Sequence, residues 1–420
     1  MGIMILVTRI SHIIGVGAAV LLGFSIPVST ALDTVLVSLI VIAWIVGGRY
    51  RDKAAVIHNP VVIASLVIFA AYLAGSLYSI GDSETIFESL RDARIFLILP
   101  FLMYFFASRP EAKRLGLNAF MIAVIATLAL SWLAWFDLLP KASFLKIDDD
   151  NPTPFKLRIT HNIFMAFGAY LFAVMTLNTQ SRRRRIVFAV LCAAAVFNVL
   201  FMVQGRTGYV VLSALMILFS YQAARWKGLA VALVSILLIG GGAWLHKDNA
   251  LYTRISVTIH ELKALESAET VAAEPVIRLN YYVYTLKIIR ENPFFGVGTG
   301  GFRQAYADVV TGTDHEIALH PHNEYLMVGV QLGLFGLFCY ALLFIVQWRY
   351  SARMDDPLHR MLARGLVVAI LSASLVNSTL IDHSEGLFWL WMSALLYADI
   401  RSDFRRRVRS VAFSGHNNEK

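Results

Sequence analysis

The residues best suited to chemistry lie directly before a long apolar run that begins near residue 324. There the sequence reads His320-Pro321-His322-Asn323-Glu324. Two imidazoles and a carboxylate at the mouth of an apolar helix are costly near hydrocarbon unless the protein uses them. A neutral imidazole is a natural general base for a hydroxyl group at neutral pH. We therefore predict a reaction centre in which His322 is the base, with His320 and Asn323 in contact with substrate.

Two other interpretations of the histidine pair stay open. His320 and His322 could be zinc ligands, but zinc needs a third and a fourth ligand and groups that orient them. His322 could also be an interfacial histidine whose ring is hydrogen-bonded by the loop around it.

Arginines are the candidates for holding the leaving group that such a base requires. Arginine binds diphosphate oxygens through paired N–H groups and does not lose its proton. Arg206 lies in a turn, Gln204 to Gly208, that is too short for a solvated loop, although snorkelling to lipid headgroups would also explain it. Arg278 is assigned as a second catalytic residue, and Arg158 and Arg303 are assigned to substrate binding. Guanidinium groups need no metal beside them, so we predict no metal and no other cofactor.

Four further residues are assigned to substrate binding. The helix predicted over 276–291 places Tyr281 and Tyr282 on one face, which could bind sugar and phosphate or could be an interfacial aromatic belt. His161 lies near the start of an apolar run. Asp382 opens the outward turn between the last two apolar runs, where an ordinary polar turn is the alternative interpretation.

The segment from Gly296 to Gly301 formally matches the glycine-rich dinucleotide motif. That motif works only between a strand and a helix, whereas a predicted helix and Asn292-Pro293 precede it here. We therefore exclude a nicotinamide cofactor. The glycines could let backbone N–H groups approach an anion, or they could simply let the loop turn back toward the membrane.

The elements that must position these residues are membrane helices. Of the 420 residues 58% are hydrophobic, a larger apolar fraction than soluble domains have, and the mean hydropathy is +0.64. The 2 cysteines lie within apolar runs, which excludes a disulfide framework and a thiolate metal site. About 20 apolar residues cross a bilayer as a helix. We place twelve such runs, at 10–27, 31–48, 60–80, 93–108, 115–138, 159–178, 185–203, 207–223, 228–245, 324–346, 361–381 and 385–400.

The predicted fold class is an all-α polytopic membrane protein with about twelve transmembrane helices. Residues 1–245 contain the first nine helices, and 246–323 form a large, partly helical periplasmic loop subdomain. Residues 324–400 contain the last three helices, and 401–420 form a basic cytoplasmic tail. Asp148 to Asp150, in another outer connection, could bind a divalent ion, but a solvated turn is favoured because three adjacent carboxylates point apart.

Positive charge is distributed unevenly over the connections between these helices. If the N-terminus is cytoplasmic, the arginine runs 182–185 and 405–407 and the other short basic connections all lie on the cytoplasmic side. The positive-inside rule then places both termini in the cytoplasm and the candidate residues on the outer face. The net charge of +9 is thereby attributed to topology and anionic lipid, and not to nucleic acid.

Taken together, the motifs resemble those of the O-antigen ligase and polymerase superfamily of bacterial membrane glycosyltransferases. The matching segments are Gly205-Arg206-Thr207-Gly208, the helix and turn from Arg278 to Gly298, and His320 to Leu326 followed by Gly333 and Gly336. The resemblance covers essentially the whole chain in layout, with a dozen spans and one dominant outer loop that ends in a histidine.

This resemblance implies an enzyme of the bacterial inner membrane whose active site faces the periplasm. The donor would be a polysaccharide on undecaprenyl diphosphate and the acceptor a sugar of lipid A-core, with membrane lipids as further partners. His322 would correspond to the essential histidine of the family, Arg206 and Arg278 to its essential arginines, and Asp382, by position only, to a residue of the last outer turn. Ligases of this family work without metal or nucleotide and invert the anomeric centre.

Three alternatives accompany this expectation. Arg290 and Gly301 are separated by ten residues, a spacing used to describe polymerase loops, so an O-unit polymerase fits the same superfamily. A protein oligosaccharyltransferase fits it as well. A lipid-linked oligosaccharide flippase or transporter would also bury arginines, but they should lie near the bilayer midplane and not at the outer interface.

Overall fold

The computed structural model describes residues 2–139, 145, 147, 151–245, 252–253, 256, 274–313 and 315–399. The side chains of residues 239, 243 and 274–279 lie outside this description, as do Asp148 to Asp150 and the tail 401–420. Every regular element in the described residues is a helix, which confirms the all-α fold class. A π-helical turn, Asn198–Met202, follows α8. The α-helices are α1 (Gly2–Ser25), α2 (Thr30–Val46), α3 (Tyr50–Ile57), α4 (Pro60–Gly75), α5 (Ser83–Ser108), α6 (Pro110–Trp135), α7 (Arg158–Asn178), α8 (Arg182–Phe197), α9 (Arg206–Leu245), α10 (Glu274–Glu291), α11 (Phe302–Val310), α12 (Glu324–Ser351), α13 (Pro357–Ala373) and α14 (His383–Tyr397).

Six of the described helices are long and apolar enough to cross a membrane, or seven if α3 and α4, which are bent by 79°, form one span. This confirms a multi-pass membrane protein, whereas the number of twelve spans stays a prediction. Length accounts for three of the helices that fall short, because α2, α13 and α14 have 17, 17 and 15 residues, fewer than the about 20 of a full crossing. Helix α5 has 26 residues but carries Arg91, Asp92 and Arg94 next to its apolar part. The six are Ile3–Ser25, Pro110–Trp135, Arg158–Asn178, Arg182–Met202, Arg206–Gly242 and Glu324–Ser351.

The long helical run α9 consists of two helices joined by a sharp turn. Ala224 (φ −141°, ψ 20°) and Arg225 (φ 53°, ψ −133°) leave the helical region. Gly228 lies so close to the first half that a Cβ there would stand 1.8 Å from the carbonyl oxygen of Ser220. The sequence prediction of two separate apolar runs in this region is thereby confirmed.

Helix α14 lies in the main apolar core and supports the turn that precedes it. Trp389 and Trp391 are completely buried. The Trp391 indole donates to the carbonyl oxygen of Ala19 at 2.8 Å, and the Trp389 indole donates to Gln347 Oε1 at 3.3 Å. A helix that is apolar all round belongs in the interior of a bundle, so the residues directly before α14 have a rigid support.

Helix α12 is broken at Gly333, and the loop before it fills the break. Gly333 has φ 62° and ψ −156°. The N–H groups of Val297 and Gly298 donate at 2.9 Å to the last carbonyl oxygens before the break. The carbonyl oxygens of Pro293 and Phe294 accept, at 2.8 and 3.1 Å, from the first N–H groups after it. Non-helical backbone in a membrane helix is stable when protein groups satisfy it in this way.

The glycine-rich turn 296–301 belongs to this packing and is not an anion-binding cradle. Each of its backbone N–H groups donates to an acceptor within the protein. The Gly300 N–H, for example, donates to Gln331 Oε1 at 2.7 Å. At Gly298, where φ is 89°, a Cβ would lie 2.3 Å from Ser79 Cα. Close packing against the α4–α5 connection therefore requires glycine at this position. Of the two explanations that the sequence left open for the glycines, the structure favours a turn of the loop over an anion-binding backbone.

Candidate active site

His322 lies on a strained turn directly before α12. Its φ is +51°, in the left-handed region that residues other than glycine seldom occupy. Asn323, the next residue, caps α12 by accepting from the Leu326 N–H at 3.0 Å, and its amide donates to the Leu375 carbonyl oxygen at 2.9 Å. Strain of this kind persists only where the surroundings enforce it, and it is concentrated at functional sites.

Two rings lie against the imidazole of His322. The Tyr281 ring is nearly parallel to it, with centroids 6.1 Å apart and planes at 17°. The His320 ring is 4.1 Å away at 69°. The single hydrogen of the Tyr282 hydroxyl is shared between two carbonyl oxygens, those of His322 at 3.5 Å and of Leu375 at 3.4 Å. The structure thus brings several predicted site residues together around one half-buried ring.

A small apolar core, separate from the main one, lies beneath this turn. It joins Ile288 of α10 and Phe302 and Tyr306 of α11 to Met327 of α12. Tyr281 packs against it, with its ring centroid 6.0 Å from that of Tyr306. The tyrosines of α10 therefore reach His322 from a packed support.

A buried carboxylate anchors the α13–α14 turn at the same place. Glu324 is 1% exposed. Its Oε2 accepts from the Leu380 N–H at 3.2 Å, and its own N–H donates to the Ser374 carbonyl oxygen at 3.0 Å. Asp382 ends this turn, where its Oδ2 accepts from Asn377 at 2.9 Å and burial raises the pKa of its carboxyl group. The sequence pattern assigned a role to Asp382 but none to Glu324, although Glu324 belongs to the histidine motif.

Arg206 begins α9 against the first turn of α7. Gly205 and Gly208 permit this contact, because a Cβ on them would lie 2.3 and 2.7 Å from atoms of the Asn162 side chain. Arg158 is the first residue of α7, and its carbonyl oxygen would lie 3.9 Å from a Cβ on Gly205. The two arginines therefore begin neighbouring helices at the same end of the bundle.

His161 lies in a buried polar network. It is 1% exposed, and its Nε2 is 3.0 Å from Asn198 Oδ1. Asn198 donates to Ser131 Oγ at 2.7 Å, and Ser131 donates to the Pro152 carbonyl oxygen at 2.5 Å. This burial favours a structural role for His161 over the predicted contact with substrate.

A buried charged cluster connects the Arg206 side of the site to the α13–α14 turn. Asp33 of α2 is fully buried, and its Oδ2 lies 3.8 Å from both Lys156 Nζ and His383 Nε2. Lys156 also donates to Ser384 Oγ at 2.9 Å. The sequence singled out the turn that contains His383 and Ser384 but did not connect it to Asp33 or Lys156. One signal was present, because Asp33 fell inside a predicted apolar span, where a carboxylate is a functional candidate by default.

A groove of about 740 Å³ opens beside this cluster between α2, α5 and α14. Arg91, Asp92, Arg94 and Asp382 line it together with an apolar wall from the same helices. The Arg94 guanidinium lies 3.8 Å from Asp92 Oδ1. Arg94 also fell inside a predicted span, so the same signal applies to it. The groove ends at the turn that Glu324 anchors.

Two of the predicted arginines do not join these contacts. Arg303 is exposed on α11, near Asp82, whose pKa is lowered chiefly by hydrogen bonds from Thr85. Arg278 has its backbone in α10, and its side chain lies outside the described residues. Among the described residues, no three His, Cys, Asp or Glu side chains are grouped as a metal site. Independence from metal stays a prediction.

Residues 197–341 match a protein family described as O-antigen ligase. The matched segment covers about a third of the chain, and over that segment the chain is similar to O-antigen ligases. No curated protein matches the chain. This match confirms the resemblance that the sequence motifs carry, and it favours an enzyme similar to membrane glycosyltransferases.

The matched segment runs from the end of α8 to a point beyond the Gly333 break in α12. Arg158, His161, Asp382 and the Asp33 cluster lie outside it. The matched segment therefore contains His322, Arg206 and Arg278, which the sequence predicts as base and arginines, while Asn162 of α7 lies against the glycines on either side of Arg206. Within the matched segment are the predicted site residues Arg206, Arg278, Tyr281, Tyr282, Arg303, His320, His322 and Asn323.

Proposed function

We propose that this protein is an O-antigen ligase, which transfers O-antigen polysaccharide from undecaprenyl diphosphate to a sugar of lipid A-core. The observation that carries the proposal is the His322 turn, where strained backbone and two neighbouring rings hold one imidazole inside the segment that is similar to O-antigen ligases. The reaction takes place at the periplasmic face of the bacterial inner membrane, and both chain termini lie in the cytoplasm. The positive-inside distribution of charge supports this orientation.

His322 acts as the general base. It takes the proton of the acceptor hydroxyl, whose oxygen forms a bond to the anomeric carbon of the donor. The bond from that carbon to the diphosphate oxygen breaks, and the diphosphate keeps the electron pair. Attack opposite the leaving group inverts the anomeric centre. A positioned base of this kind contributes about 10²–10⁴-fold to the rate.

Arg206 and Arg278 hold the departing diphosphate. Guanidinium groups form paired hydrogen bonds to phosphate oxygens and stabilise the charge that develops on the leaving oxygen. Arg158 adds a second guanidinium beside Arg206, because the two begin adjacent helices. Asn323 holds the His322 turn in place, since its side chain is already hydrogen-bonded to the Leu326 N–H and to the Leu375 carbonyl oxygen.

The groove between α2, α5 and α14 fits a lipid-linked donor. A diphosphate joined to a polyprenyl chain needs cationic groups next to an apolar wall. The groove offers Arg91 and Arg94 together with an apolar surface, in a volume of about 740 Å³. Its Asp382 end adjoins the turn that Glu324 joins to the start of α12.

The test is transfer by the purified protein in detergent. Given lipid-linked polysaccharide and lipid A-core, it should produce glycosylated lipid A-core, and EDTA should leave the rate unchanged. Arg206→Lys keeps the charge but loses the paired geometry, so it should lower the rate without preventing folding.

Cells that lack the protein discriminate the remaining activities. A ligase predicts long polymer that stays on its lipid carrier and bare lipid A-core. Core that carries single units would instead indicate a polymerase, loss of glycan from protein would indicate an oligosaccharyltransferase, and donor movement across vesicles without transfer would indicate a transporter.

A further inference from the structure

A second charged cavity lies at the opposite end of the bundle from His322. Helix α5 begins beside the glycine turn, since a Cβ on Gly300 would stand 2.7 Å from the Ile86 nitrogen. It is 26 residues long, or about 39 Å along a helix with a 1.5 Å rise. At its other end a cavity of about 430 Å³ opens between α1, the α2–α3 connection and the α5–α6 junction. Its basic lining residues are Arg9, Arg49, Lys53 and Arg109.

The charge in this cavity has one sign. None of the residues that line it is acidic. Asp52, close by, pairs with Arg49 at 2.7 Å. Among the described residues, no carboxylate lies within ion-pair distance of Arg9, Lys53 or Arg109. Cations gathered around one cavity repel each other, and a bound anion relieves that repulsion.

Lys53 brings a buried cation to this cavity. The residue is 2% exposed, and its ammonium group donates to the Trp44 carbonyl oxygen. It lies 4.8 Å from the centroids of the Trp44 and Tyr50 rings and 5.6 Å from that of Tyr104. Cation–π contacts of this kind hold a desolvated ammonium group in place.

The turn that carries Arg49 is strained. Gly48 and Arg49 have φ values of 59° and 54°, and Arg49 is thus a non-glycine residue in the left-handed region. As at His322, such strain needs a surrounding structure that enforces it. The turn holds the Arg49 guanidinium at the rim of the cavity.

The remaining wall is apolar and continuous with a face of α1 that is open at the surface. Met4, Ile5 and Ile13 line the cavity and are 72%, 60% and 54% exposed. In a membrane helix, such a face meets hydrocarbon chains. A cationic cavity with this wall suits a molecule that has a phosphate group and acyl chains.

We propose that this cavity binds the phosphate group of an anionic membrane lipid, whose acyl chains lie along the exposed face of α1. The site is distinct from the one at His322 and does not depend on the proposed transfer reaction. The group that the basic side chains of the cavity recognise is phosphate. The apolar face of α1 favours a lipid over a free phosphate as its source.

The experiment is a binding titration of the purified full-length protein in detergent. The probes are phosphatidylglycerol, phosphatidylcholine and inorganic phosphate. The double variant Arg9→Gln/Arg109→Gln removes two exposed guanidinium groups that form no hydrogen bond or ion pair in the described structure. The matched control, Arg182→Gln/Arg183→Gln, removes two exposed arginines at the same end of the bundle, away from the cavity.

Phosphatidylglycerol should bind the cavity variant about 30-fold more weakly than the wild-type protein and should bind the control variant as tightly as the wild type. Equal loss in both variants would indicate diffuse surface attraction and overturn the proposal. Equal binding of phosphatidylcholine would overturn it as well. If inorganic phosphate competes fully and shows the same dependence on Arg9 and Arg109, the phosphate site is supported and the lipid source is refuted.

Discussion

The His322 turn and the first turns of α7 each place a histidine at the same end of the bundle, but they hold it in opposite ways. His322 lies half-buried on strained backbone before a helix, between the rings of Tyr281 and His320. His161 lies inside a regular helix, 1% exposed, with its ring hydrogen-bonded to Asn198.

The difference indicates which histidine can exchange a proton with a substrate. A general base must come within hydrogen-bond reach of the hydroxyl group that it deprotonates. His161 is enclosed by protein, and its Nε2 is engaged by an amide. His322 has the strained backbone that is typical of functional sites. The comparison supports the proposal that His322 is the base and that His161 has a structural role.

Replacing each histidine by glutamine is the strongest way to break this comparison. His322→Gln should lower the transfer rate by about 10²–10⁴-fold, because the base is lost. His161→Gln should lower it less than about 10-fold, because glutamine can still donate to Asn198, and its main effect should be on stability. Initial rates of purified, folded protein measure both. A His322→Gln rate within about 3-fold of the wild type would refute the assignment.

The next largest effect should come from disturbing the packing of residues 293–298 against the break in α12. Gly333 has φ 62°, and a Cβ there would lie 2.4 Å from the Phe294 carbonyl carbon. Gly333→Ala should therefore destabilise the protein by about 2–5 kcal/mol through backbone strain and overpacking, and it should reduce activity by displacing the His322 turn.

Gly312→Ala is the matched control for this change. Gly312 also has positive φ, 83°, but a Cβ there would meet nothing within 4 Å. Its cost should be only the strain of about 1 kcal/mol, with activity retained. Thermal unfolding curves compare the stability of the two variants. Equal losses of stability would show that the packing of residues 293–298 against Gly333 contributes nothing.

The smallest expected effect comes from replacing Asp382, which ends the α13–α14 turn. Burial raises the pKa of its carboxyl group in the folded protein. Stability from this group is therefore fully present below the ordinary pKa of about 3.9 and is lost as the pH rises through the folded pKa. Asp382→Asn should remove this loss and stabilise the protein slightly at neutral pH.

Asp82→Asn should act in the opposite direction. Hydrogen bonds from Thr85 lower the pKa of Asp82. The stability that the Asp82 carboxylate contributes is therefore present above the ordinary pKa and is lost as the pH falls through the folded pKa. Unfolding temperatures measured from pH 4 to 8 compare both variants. Curves that shift in the same direction would contradict the opposite pKa shifts of the two carboxyl groups.

Much of the fold could be predicted because helices in a membrane protein depend on local composition. The helix predicted over 276–291 is observed as Glu274–Glu291. Helix α12 begins at Glu324, as predicted, because Asn323 is both the last polar loop residue and the cap. Short helices were harder, since α3 is an amphipathic piece within a predicted connection.

The arrangement of the site depended on contacts that no local pattern records. In the sequence, Gly333 is one small residue in an apolar helix. Only the structure, in which the 293–298 segment packs against it, reveals that the helix is broken there. Asp33 reads as an isolated carboxylate until Lys156 and His383 are brought beside it.

The sequence by itself determined that this is an all-helical membrane protein and that His322 and Arg206 bear groups suited to glycosyl transfer, because apolar run length and side-chain chemistry are local properties. Only the tertiary structure decided that His322 is held on strained backbone while His161 is enclosed. Those facts depend on Tyr281 and on Asn198, which are distant in the chain and adjacent only after the helices pack.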